Sequence, residues 1–433
     1  MKHPLLLGLI LLAFGLGFFK VFRHPSAASF DVTSKVVADN VEARFLSRFA
    51  SSALHTQTHA ASLVELKDGR IRAFWFAGSR EGAKDVEIRS AVFDPVRKLW
   101  SAEQTVASRE GTGQSLLRYV SKLGNPVAGR AADGTLWLYY VTVSMGGWAG
   151  SSITAMTSAD EGITWSPARR LVSSPFLNIS TLVKGAPFPY SDGTMGLPVY
   201  HEFISKFGEL LRLDKTGAVI DKQRLSAATD HGLQPVFLAK NANEALVLMR
   251  YSGTDAPRRA ISISTNDAGR HWTAPVKSPL SNPDSALSAV VLPDGRILAA
   301  LNNMEQGRDA LMLVASADGG STWRNVYQLE DQRKQSLDEA HYLKIVEGLA
   351  RDTDAKVSEA PSAGVGEYVA SARQQVCAEH NCRFEFSYPY LIRTQNGDIH
   401  LVYTWNRSFI KHVWFTQAWL AQRLEQSADD QLH

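Results

Sequence analysis

A β-hairpin signal that recurs along the chain constrains the fold more than any other feature of the sequence. In each copy, an apolar run with alternating pattern leads into a two-residue turn, and a second apolar run follows. The turns are Asp68-Gly69, Asp133-Gly134, Asp192-Gly193, Asp294-Gly295 and Asn396-Gly397, with a weaker copy at Lys240–Glu244. Such dipeptides favour tight hairpins because their residues tolerate positive φ. Six hairpins at near-even spacing predict an all-β fold, a six-bladed β-propeller of four-stranded blades.

A second repeat runs in phase with the hairpins. Ser158–Trp165 and Ser316–Trp323 match S-x-D-x-G-x-T-W, Thr265–Trp272 is a close variant, and Asp94–Trp100 is a degenerate copy. The aspartate can accept hydrogen bonds from the turn amides, and the tryptophan packs beneath the turn. These motifs resemble the Asp-boxes, or bacterial neuraminidase repeats, of the sialidase superfamily. The resemblance implies a sialidase-like propeller in a divergent member of that superfamily.

The N-terminal segment predicts export. Basic residues flank an uncharged apolar run at residues 5–19. This is the layout of a secretory signal, but charges separate the run from the small residues at 26–28. We therefore expect residues 1–28 to be an uncleaved signal-anchor and linker, with a cleaved signal as the alternative. The propeller, residues 29–433, would then be periplasmic and tethered by a single pass to a bacterial inner membrane.

The composition limits the classes of partner. Lys and Arg number 46 against 43 acidic residues, and a net charge of +3 is too small to indicate nucleic-acid binding. Two cysteines, Cys377 and Cys382, exclude a disulfide-rich scaffold and a cysteine-based zinc site. Because export is expected, a Cys377–Cys382 disulfide is favoured over free thiols. We expect a monomer without a cofactor, and the resemblance to sialidase propellers leaves a structural calcium ion open.

The interval before the last hairpin turn is about twice as long as the others. Within it, Gln335–Leu349 places its apolar residues on one stripe of a helix, and residues 355–373 are rich in Ala and Ser. We expect residues 331–383 to form a mainly helical insertion before the last blade.

Polar and aromatic residues gather where the hairpins open. Residues about eight positions before or after each turn lie at the opposite end of the blade, and these ends ring the mouth of the central channel. Those before the turns are His59, Asn125, Lys184, Gln234, Asp284–Ala286 and Tyr388. Those after the turns are Arg80, Glu81, Tyr200, His201, Glu202, Arg250, Asn302 and Tyr403–Arg407. Aromatic side chains beside polar groups suit the faces of sugars, so this circle of residues around the mouth predicts a ligand site.

Four residues match sialidase segments individually. Arg250 and Arg308, each followed by an Asp-box, resemble the second and third arginines that hold the substrate carboxylate. Tyr388 lies where the family has its nucleophile, and Asp85 where it has its acid/base aspartate. A guanidinium can bind a sugar carboxylate bidentately, and a neutral tyrosine avoids the repulsion that a carboxylate nucleophile would meet there. The resemblance implies an acidic glycan as substrate, sialic-acid-like or uronate.

Two positions depart from the sialidase pattern. His59 stands where the first arginine belongs, and Gln234 stands where a glutamate accepts the proton of the tyrosine. An amide cannot accept that proton, so Glu202 and Glu385 are the nearby candidates for the base. The expected catalytic residues are Asp85, Tyr388, Glu202 and His59. The expected substrate-binding residues are Arg80, Glu81, Asn125, Tyr200, His201, Gln234, Arg250, Arg308, Tyr403 and Arg407.

Three functions are compatible with these residues. The first is a membrane-anchored glycoside hydrolase of exo-α-sialidase type. The second is a polysaccharide lyase, in which His59 and Tyr388 act as base and acid in β-elimination from a uronate, an analogy with other propellers. The third is a non-catalytic propeller that binds an anionic glycan or a partner protein.

Overall fold

The computed structural model describes residues 3–22, 28–32, 42–52, 57–174, 178–333, 337–338, 340, 343–344, 347, 377–378 and 381–429. Within them the chain forms six sheets of four or five strands and one small three-stranded sheet. The larger sheets are the blades of a β-propeller. The predicted all-β fold and the number of blades are therefore confirmed.

In the first three blades, the main strands follow one another from the channel to the rim and pair antiparallel, and in blades 1 and 3 two short strands share one partner strand. The numbering starts at β1 (Phe45–Phe49), which belongs to the last blade. Blade 1 comprises β2 (Gln57–Glu65), β3 (Ile71–Gly78), β4 (Glu87–Asp94), β5 (Leu99–Trp100) and β6 (Gln104–Ala107). Blade 2 comprises β7 (Lys122–Arg130), β8 (Leu136–Val143), β9 (Ser151–Ser158) and β10 (Arg169–Arg170). Blade 3 comprises β11 (Leu182–Val183), β12 (Phe188–Pro189), β13 (Met195–His201), β14 (Phe207–Leu213) and β15 (Val219–Arg224).

The last three blades repeat this plan, and the small sheet lies between the fifth and sixth in sequence. Blade 4 comprises β16 (Gly232–Ala239), β17 (Ala245–Tyr251), β18 (Arg259–Thr265) and β19 (Val276–Ser281). Blade 5 comprises β20 (Ser288–Val291), β21 (Ile297–Leu301), β22 (Ala310–Ser316) and β23 (Arg324–Asp331). The small sheet comprises β24 (Leu337–Asp338), β25 (Cys377–Ala378) and β26 (Asn381–Cys382). Blade 6 comprises β27 (Phe386–Arg393), β28 (Ile399–Trp405) and β29 (Phe409–Phe415), with β1 outermost.

The ring is closed by the N-terminal strand. β1 pairs antiparallel with β29, from Phe45 opposite Phe415 to Phe49 opposite Lys411. The Phe49 ring is buried and lies 5.3 Å from the Trp405 ring, between centroids. Blade 6 therefore combines strands from both ends of the chain, which ties the first blade to the last.

The core lies between the blades. Every residue of β3 and of β8 is buried. A strand covered on both faces by neighbouring sheets loses the apolar–polar alternation and becomes continuously apolar. This is why these strands are almost entirely apolar in the sequence, with the buried Arg72 of β3 as the one charged residue in the two strands.

The Asp-boxes form the turns between the third and fourth strands of blades 2, 4 and 5. In the first of them, Asp160 Oδ1 accepts a hydrogen bond from the Thr164 amide at 2.9 Å, and the Gly162 amide donates to Ser158 Oγ at 2.8 Å. Gly162 has φ +86°, a conformation that disfavours residues with a Cβ. The boxes and the Asp-Gly turns share one face of the propeller, which we call the turn face; the opposite face is the mouth.

The described helices are α1 (His3–Phe22), α2 (Arg109–Leu116) and α3 (Gln417–Asp429). Among the residues that the structure describes, no helix is long and apolar enough to cross a membrane. Attachment of the N-terminal segment to a membrane stays a prediction.

Residues 28–32 pack against the turn face and form what we call the N-terminal latch. The Phe30 amide donates to Ala242 O at 2.8 Å, and the Ser191 amide donates to Ser29 O at 2.9 Å. The Phe30 ring is buried, 5.0 Å from the Phe237 ring between centroids. The chain therefore enters the propeller on the face opposite the mouth.

Most of the predicted insertion at residues 331–383 lies outside the described residues. Residues 340, 343–344 and 347 are helical, as expected, whereas β24, β25 and β26 form a sheet that the sequence did not indicate. In that sheet Cys377 lies directly opposite Cys382. Their side chains are outside the described part, so the disulfide stays a prediction.

Candidate active site

The innermost strands of four blades carry an irregularity at the same level near the mouth. The pairing register with the second strand shifts there in blades 1, 2, 4 and 6. Each irregularity contains a non-glycine residue with φ between 40° and 54°: Ala60, Asn125, Gln234 and Tyr388. Left-handed backbone at such residues costs on the order of 1–2 kcal/mol each, and bulges of this kind re-aim side chains at functional sites. Because the same irregularity recurs around the channel, we take this level of the mouth as the candidate site.

Tyr388 is the centre of a hydrogen-bond network on the channel. Its phenol oxygen accepts from Gln234 Nε2 at 3.3 Å and from Arg250 Nη1 at 3.4 Å. Gln234 Nε2 also donates to Tyr200 OH at 3.3 Å, and its Oε1 accepts from Arg250 Nη1 at 3.3 Å. Asn125 Nδ2 donates to Tyr200 OH at 3.1 Å. Two N–H donors directed at one phenol oxygen can stabilise negative charge as it develops there.

Three guanidinium groups from blades 4, 5 and 6 meet at the mouth and are held by two carboxylate residues. Arg250 Nε donates to Asp284 Oδ1 at 2.6 Å, and Arg308 Nη2 donates to Asp284 O at 2.8 Å. The two oxygens of Glu385 accept from Arg308 Nη1 at 3.2 Å and from Arg407 Nε at 2.7 Å. These bonds fix the orientation of the guanidiniums before any ligand binds. The N–H groups that are not used in these bonds suit an oxyanion ligand.

The electrostatics of this arginine cluster follow from burial and pairing. Burial would raise the pKa of Glu385, but the hydrogen bond and charge of Arg407 lower it to about 2. Burial lowers the pKa of Arg250, but the effects of the nearby Tyr388 and Asp284 outweigh burial and raise the pKa above its ordinary value. Pairing with Glu385 likewise raises the pKa of Arg407. Arg250 and Arg407 therefore stay charged, and Glu385 acts as a fixed anion rather than a base.

Arg407 reaches the mouth beside the position where a first-blade arginine is missing. The backbone amide of Thr58 donates to Arg407 O at 2.9 Å, which fixes the β28–β29 turn against the start of β2. The adjacent His59 is buried; its Nδ1 lies 2.9 Å from Thr404 Oγ1 and its ring 4.3 Å from the Tyr388 ring. Burial lowers the pKa of His59 to about 3, so the imidazole is neutral at physiological pH.

The β3–β4 loop carries three of the predicted site residues. Asp85 is exposed, and its oxygens accept from the backbone amide and the hydroxyl of Ser79, both at 2.9 Å. Glu81 is half-buried, with an oxygen 4.0 Å from Arg407 Nη1. Burial raises its pKa above the ordinary value for a glutamate. Arg80 is exposed on the same loop.

Blade 3 contributes Tyr200, His201 and Glu202 at the end of β13. Tyr200 is buried in the network described above, whereas His201 stacks on Phe207 with ring centroids 4.8 Å apart. Burial raises the pKa of Glu202, and its charge affects both Arg250 and Tyr200. Glu202 therefore interacts electrostatically with two members of the Tyr388 network, whereas His201 packs on Phe207.

Tyr403 lies away from the mouth, which corrects its assignment to substrate binding. Its hydroxyl donates to Glu330 Oε1 at 2.7 Å, and Lys411 Nζ pairs with the same oxygen at 2.6 Å. All three side chains are buried between blades 5 and 6. The reason is strand alternation, because the neighbouring Thr404 points to His59 and Tyr403 must point the other way.

Lys184, Asp284 and Glu385 border the site although they were not assigned a binding role. Lys184 Nζ donates to Pro389 O at 3.3 Å and lies 5.8 Å from the centre of the Tyr388 ring. Burial lowers the pKa of Lys184 to about 7. Hairpin spacing had placed Lys184 and Asp284 at the mouth, but it did not indicate a role for either residue. In the described part of the chain, no group of three or more His, Cys, Asp or Glu side chains is arranged to hold a metal ion.

The fold is similar to solved structures at low sequence identity. Hadza microbial sialidase Hz136 matches with a TM-score of 0.60 and 15% identity over 84% of this chain, and the chain spans 66% of that sialidase. The intramolecular trans-sialidase from Ruminococcus gnavus matches with a TM-score of 0.59 and 12% identity, covering 92% of this chain and 99% of that one. A Dyadobacter fermentans protein of unknown function has a TM-score of 0.58 and 13% identity, with 89% and 100% covered. At these identities the likeness shows the fold alone.

No curated protein is significantly similar to the chain. One family model does match its sequence. The BNR repeat-like domain matches residues 69–401, most of the chain, and this range contains the Asp-boxes and nearly all of the mouth. The chain therefore belongs to the BNR repeat-like domain family, with the six-bladed propeller that it shares with sialidases.

Proposed function

We propose that this protein is a sialidase-type glycoside hydrolase that acts on an acidic glycan. The observation that carries the proposal is the Tyr388 hydroxyl within 3.4 Å of Arg250, at a mouth that also presents the guanidiniums of Arg308 and Arg407. A sugar carboxylate bound by these arginines would place its anomeric carbon, which bears that carboxylate, next to the phenol oxygen. A site that only binds a sugar would not need a nucleophile next to the anomeric carbon.

In the proposed reaction, the Tyr388 oxygen forms a bond to the anomeric carbon while the glycosidic C–O bond breaks. The electron pair of that bond goes to the leaving oxygen, which receives a proton from a carboxyl group of the site. Water then attacks the anomeric carbon, and the same carboxylate takes a proton from the water. The phenol oxygen leaves and takes back the proton that it gave to a base of the site in the first step. Arg250 and Gln234 stabilise the charge on the phenol oxygen in both steps.

We assign the proton acceptor of Tyr388 to Glu202. Gln234, which stands in the place of a base, is an amide, and Glu385 has a pKa of about 2 and is bound by two arginines. Glu202 has a raised pKa and lies near Tyr200 and Arg250, which border the same network. A carboxylate with a pKa closer to neutrality is the stronger base.

The test is hydrolysis of a fluorogenic sialoside by the protein and by Tyr388→Phe. We expect turnover by the parent protein and a loss of at least about 100-fold in the variant, the scale of a lost covalent catalyst. Tyr390→Phe, two residues along the same strand, is the matched control and should keep its activity, because the buried Tyr390 hydroxyl has no hydrogen-bond partner among the residues that the structure describes. Product analysis should distinguish hydrolysis from the intramolecular transfer named for some structural neighbours.

A lyase that acts on uronates is the second candidate, favoured by the ring contact of 4.3 Å between His59 and Tyr388. With a pKa of about 3, His59 is a weak base, which ranks this reaction below hydrolysis. Ultraviolet absorbance of unsaturated products from uronate polysaccharides, without turnover of sialosides, would replace the hydrolase by the lyase. Binding of an acidic glycan without either reaction would identify a non-catalytic module.

We also propose that the protein is held at the bacterial inner membrane by its N-terminal segment, with the propeller in the periplasm. Support comes from the basic flanks of the apolar run and from its exposed leucines, Leu5, Leu6, Leu7, Leu9, Leu11, Leu12 and Leu16. Cell fractionation tests this: the full chain should sediment with inner membranes and require detergent for release. Recovery in the soluble fraction would contradict it.

A further inference from the structure

The β3–β4 loop holds two carboxyl groups with different environments, Glu81 at its tip and Asp85 near its end. Both oxygens of Asp85 accept hydrogen bonds from Ser79, at the other end of the loop. These bonds join the loop's ends and orient the Asp85 carboxylate toward the protein backbone. Asp85 therefore has a structural task, and its side chain is exposed to solvent.

Glu81 is positioned toward the mouth by a contact with the innermost strand. Its backbone amide donates to Gln57 Oε1, at the start of β2. Its carboxylate lies 4.0 Å from Arg407, and 36% of the side chain is exposed. Arg407 and Glu81 therefore face the same space, on adjacent blades, and a ligand held by Arg407 would meet the Glu81 carboxyl.

The environment of Glu81 raises the pKa of its carboxyl group above the ordinary value for a glutamate, which favours the protonated form. Burial and the anion of Glu385 raise its pKa, while Arg407, Arg308 and Lys122 oppose the rise. A proton donor to a leaving oxygen needs such a balance, because it must be protonated before the bond breaks and ionised afterwards.

We propose that Glu81, rather than Asp85, donates the proton to the leaving group and then takes a proton from the attacking water. This assignment rests on the proposed hydrolase. In the first step the glycosidic C–O electron pair moves to the leaving oxygen, which takes the Glu81 proton. In the second step the Glu81 carboxylate takes a proton from water as the C–O bond to Tyr388 breaks. Glu81 is thus restored and no other reactant is needed.

The experiment compares Glu81→Gln with Asp85→Asn on two sialosides that differ in the leaving group. Sialyllactose needs a proton on its poor leaving group, whereas nitrophenolate leaves without one. We expect Glu81→Gln to lose at least about 100-fold in kcat/KM on sialyllactose and less than about 5-fold on the nitrophenyl sialoside. Asp85→Asn should lower both rates by the same factor and reduce the melting temperature, since it weakens the loop.

A leaving-group dependence in Asp85→Asn that is absent from Glu81→Gln would overturn the assignment and leave the hydrolase intact. Failure of the parent protein to cleave either sialoside would overturn the hydrolase and the assignment with it. Circular dichroism of both variants checks that they are folded, and the nitrophenyl substrate reports a working Tyr388 in each.

Discussion

Gln234 shows how one side chain can keep the geometry of a catalytic pair and change its chemistry. Its amide nitrogen donates to Tyr388 and Tyr200, and its amide oxygen accepts from Arg250. A glutamate there would accept from the same three groups, and it could also remove a proton. The amide holds the tyrosine in place but cannot take its proton, so another residue must act as the base.

An exchange of carboxylates between positions 202 and 234 tests where the base is. We expect Glu202→Gln to lower kcat on a fluorogenic sialoside by about 100-fold, the scale of a lost general base. Adding Gln234→Glu should recover at least about 10-fold, because the new carboxylate would lie against Tyr388. Steady-state kinetics at neutral pH measures both changes. Full activity of Glu202→Gln would remove Glu202 from the mechanism.

At the scale of elements, the conformation was predicted correctly where a short stretch of sequence determines it locally. The Asp-Gly turns and Asp-boxes are of this kind: Gly69 and Gly397 have φ of 82° and 83°, as tight turns require. Tyr403 was misplaced because a count of residues from the turn does not say which face of β28 a side chain takes. The environment of Glu81 depends on contacts with Gln57 and Arg407, which are distant in the sequence and cannot be read from it.

The Asp-boxes should contribute to stability and not to catalysis. Asp160 accepts from Ser158 and Thr164, and these hydrogen bonds lower its pKa to about 2. This stabilising effect is complete above the unfolded-state pKa near 4 and is lost as pH falls toward 2. We expect Asp160→Ala to lower the melting temperature at pH 7 by roughly 1–3 °C and to keep kcat within about twofold.

Differential scanning fluorimetry and the sialoside assay check this. Asp221→Ala, whose carboxylate accepts from the adjacent Lys222 amide, is the control and should melt with the parent. A large loss of activity in Asp160→Ala would show that the turn face communicates with the mouth.

At the scale of the whole molecule, ring closure depends on β1. Deletion of residues 1–49 should expose the edge of β29 and uncover the aromatic cluster around Trp405 and Phe409. We expect aggregation or a melting temperature lower by about 10 °C or more, whereas deletion of residues 1–27 leaves the latch and β1 and should not destabilise the fold. Size-exclusion chromatography and fluorimetry compare the two. Equal stability would mean that blade 6 closes without β1.

Three buried histidines make the fold sensitive to acid. Burial lowers the pKa of His59 and His400 to about 3 and that of His412 well below its ordinary value; His400 Nδ1 lies 2.9 Å from His412 Nε2. Because the unfolded chain binds these protons below about pH 6.5, stability should fall as pH drops, by about 2 kcal/mol at pH 5 for each of His59 and His400, and His412 acts in the same direction. Glu81 and Glu202, with raised pKa values, act in the opposite direction.

Urea unfolding at pH 7.5, 6 and 5 measures this slope. A free energy of unfolding that stays constant over the range would show that the histidines take up protons without loss of structure.

The N-terminal latch determines which side of the propeller is left uncovered. Because Phe30 is fixed near Ala242 and Phe237 on the turn face, residue 28 lies on the face opposite the mouth. An attachment at that end, to a surface, a bead or a fused protein, would present the mouth outward. The arginine cluster would then be open to ends of long polymers and to chains on an opposing surface, and not only to small diffusing sugars.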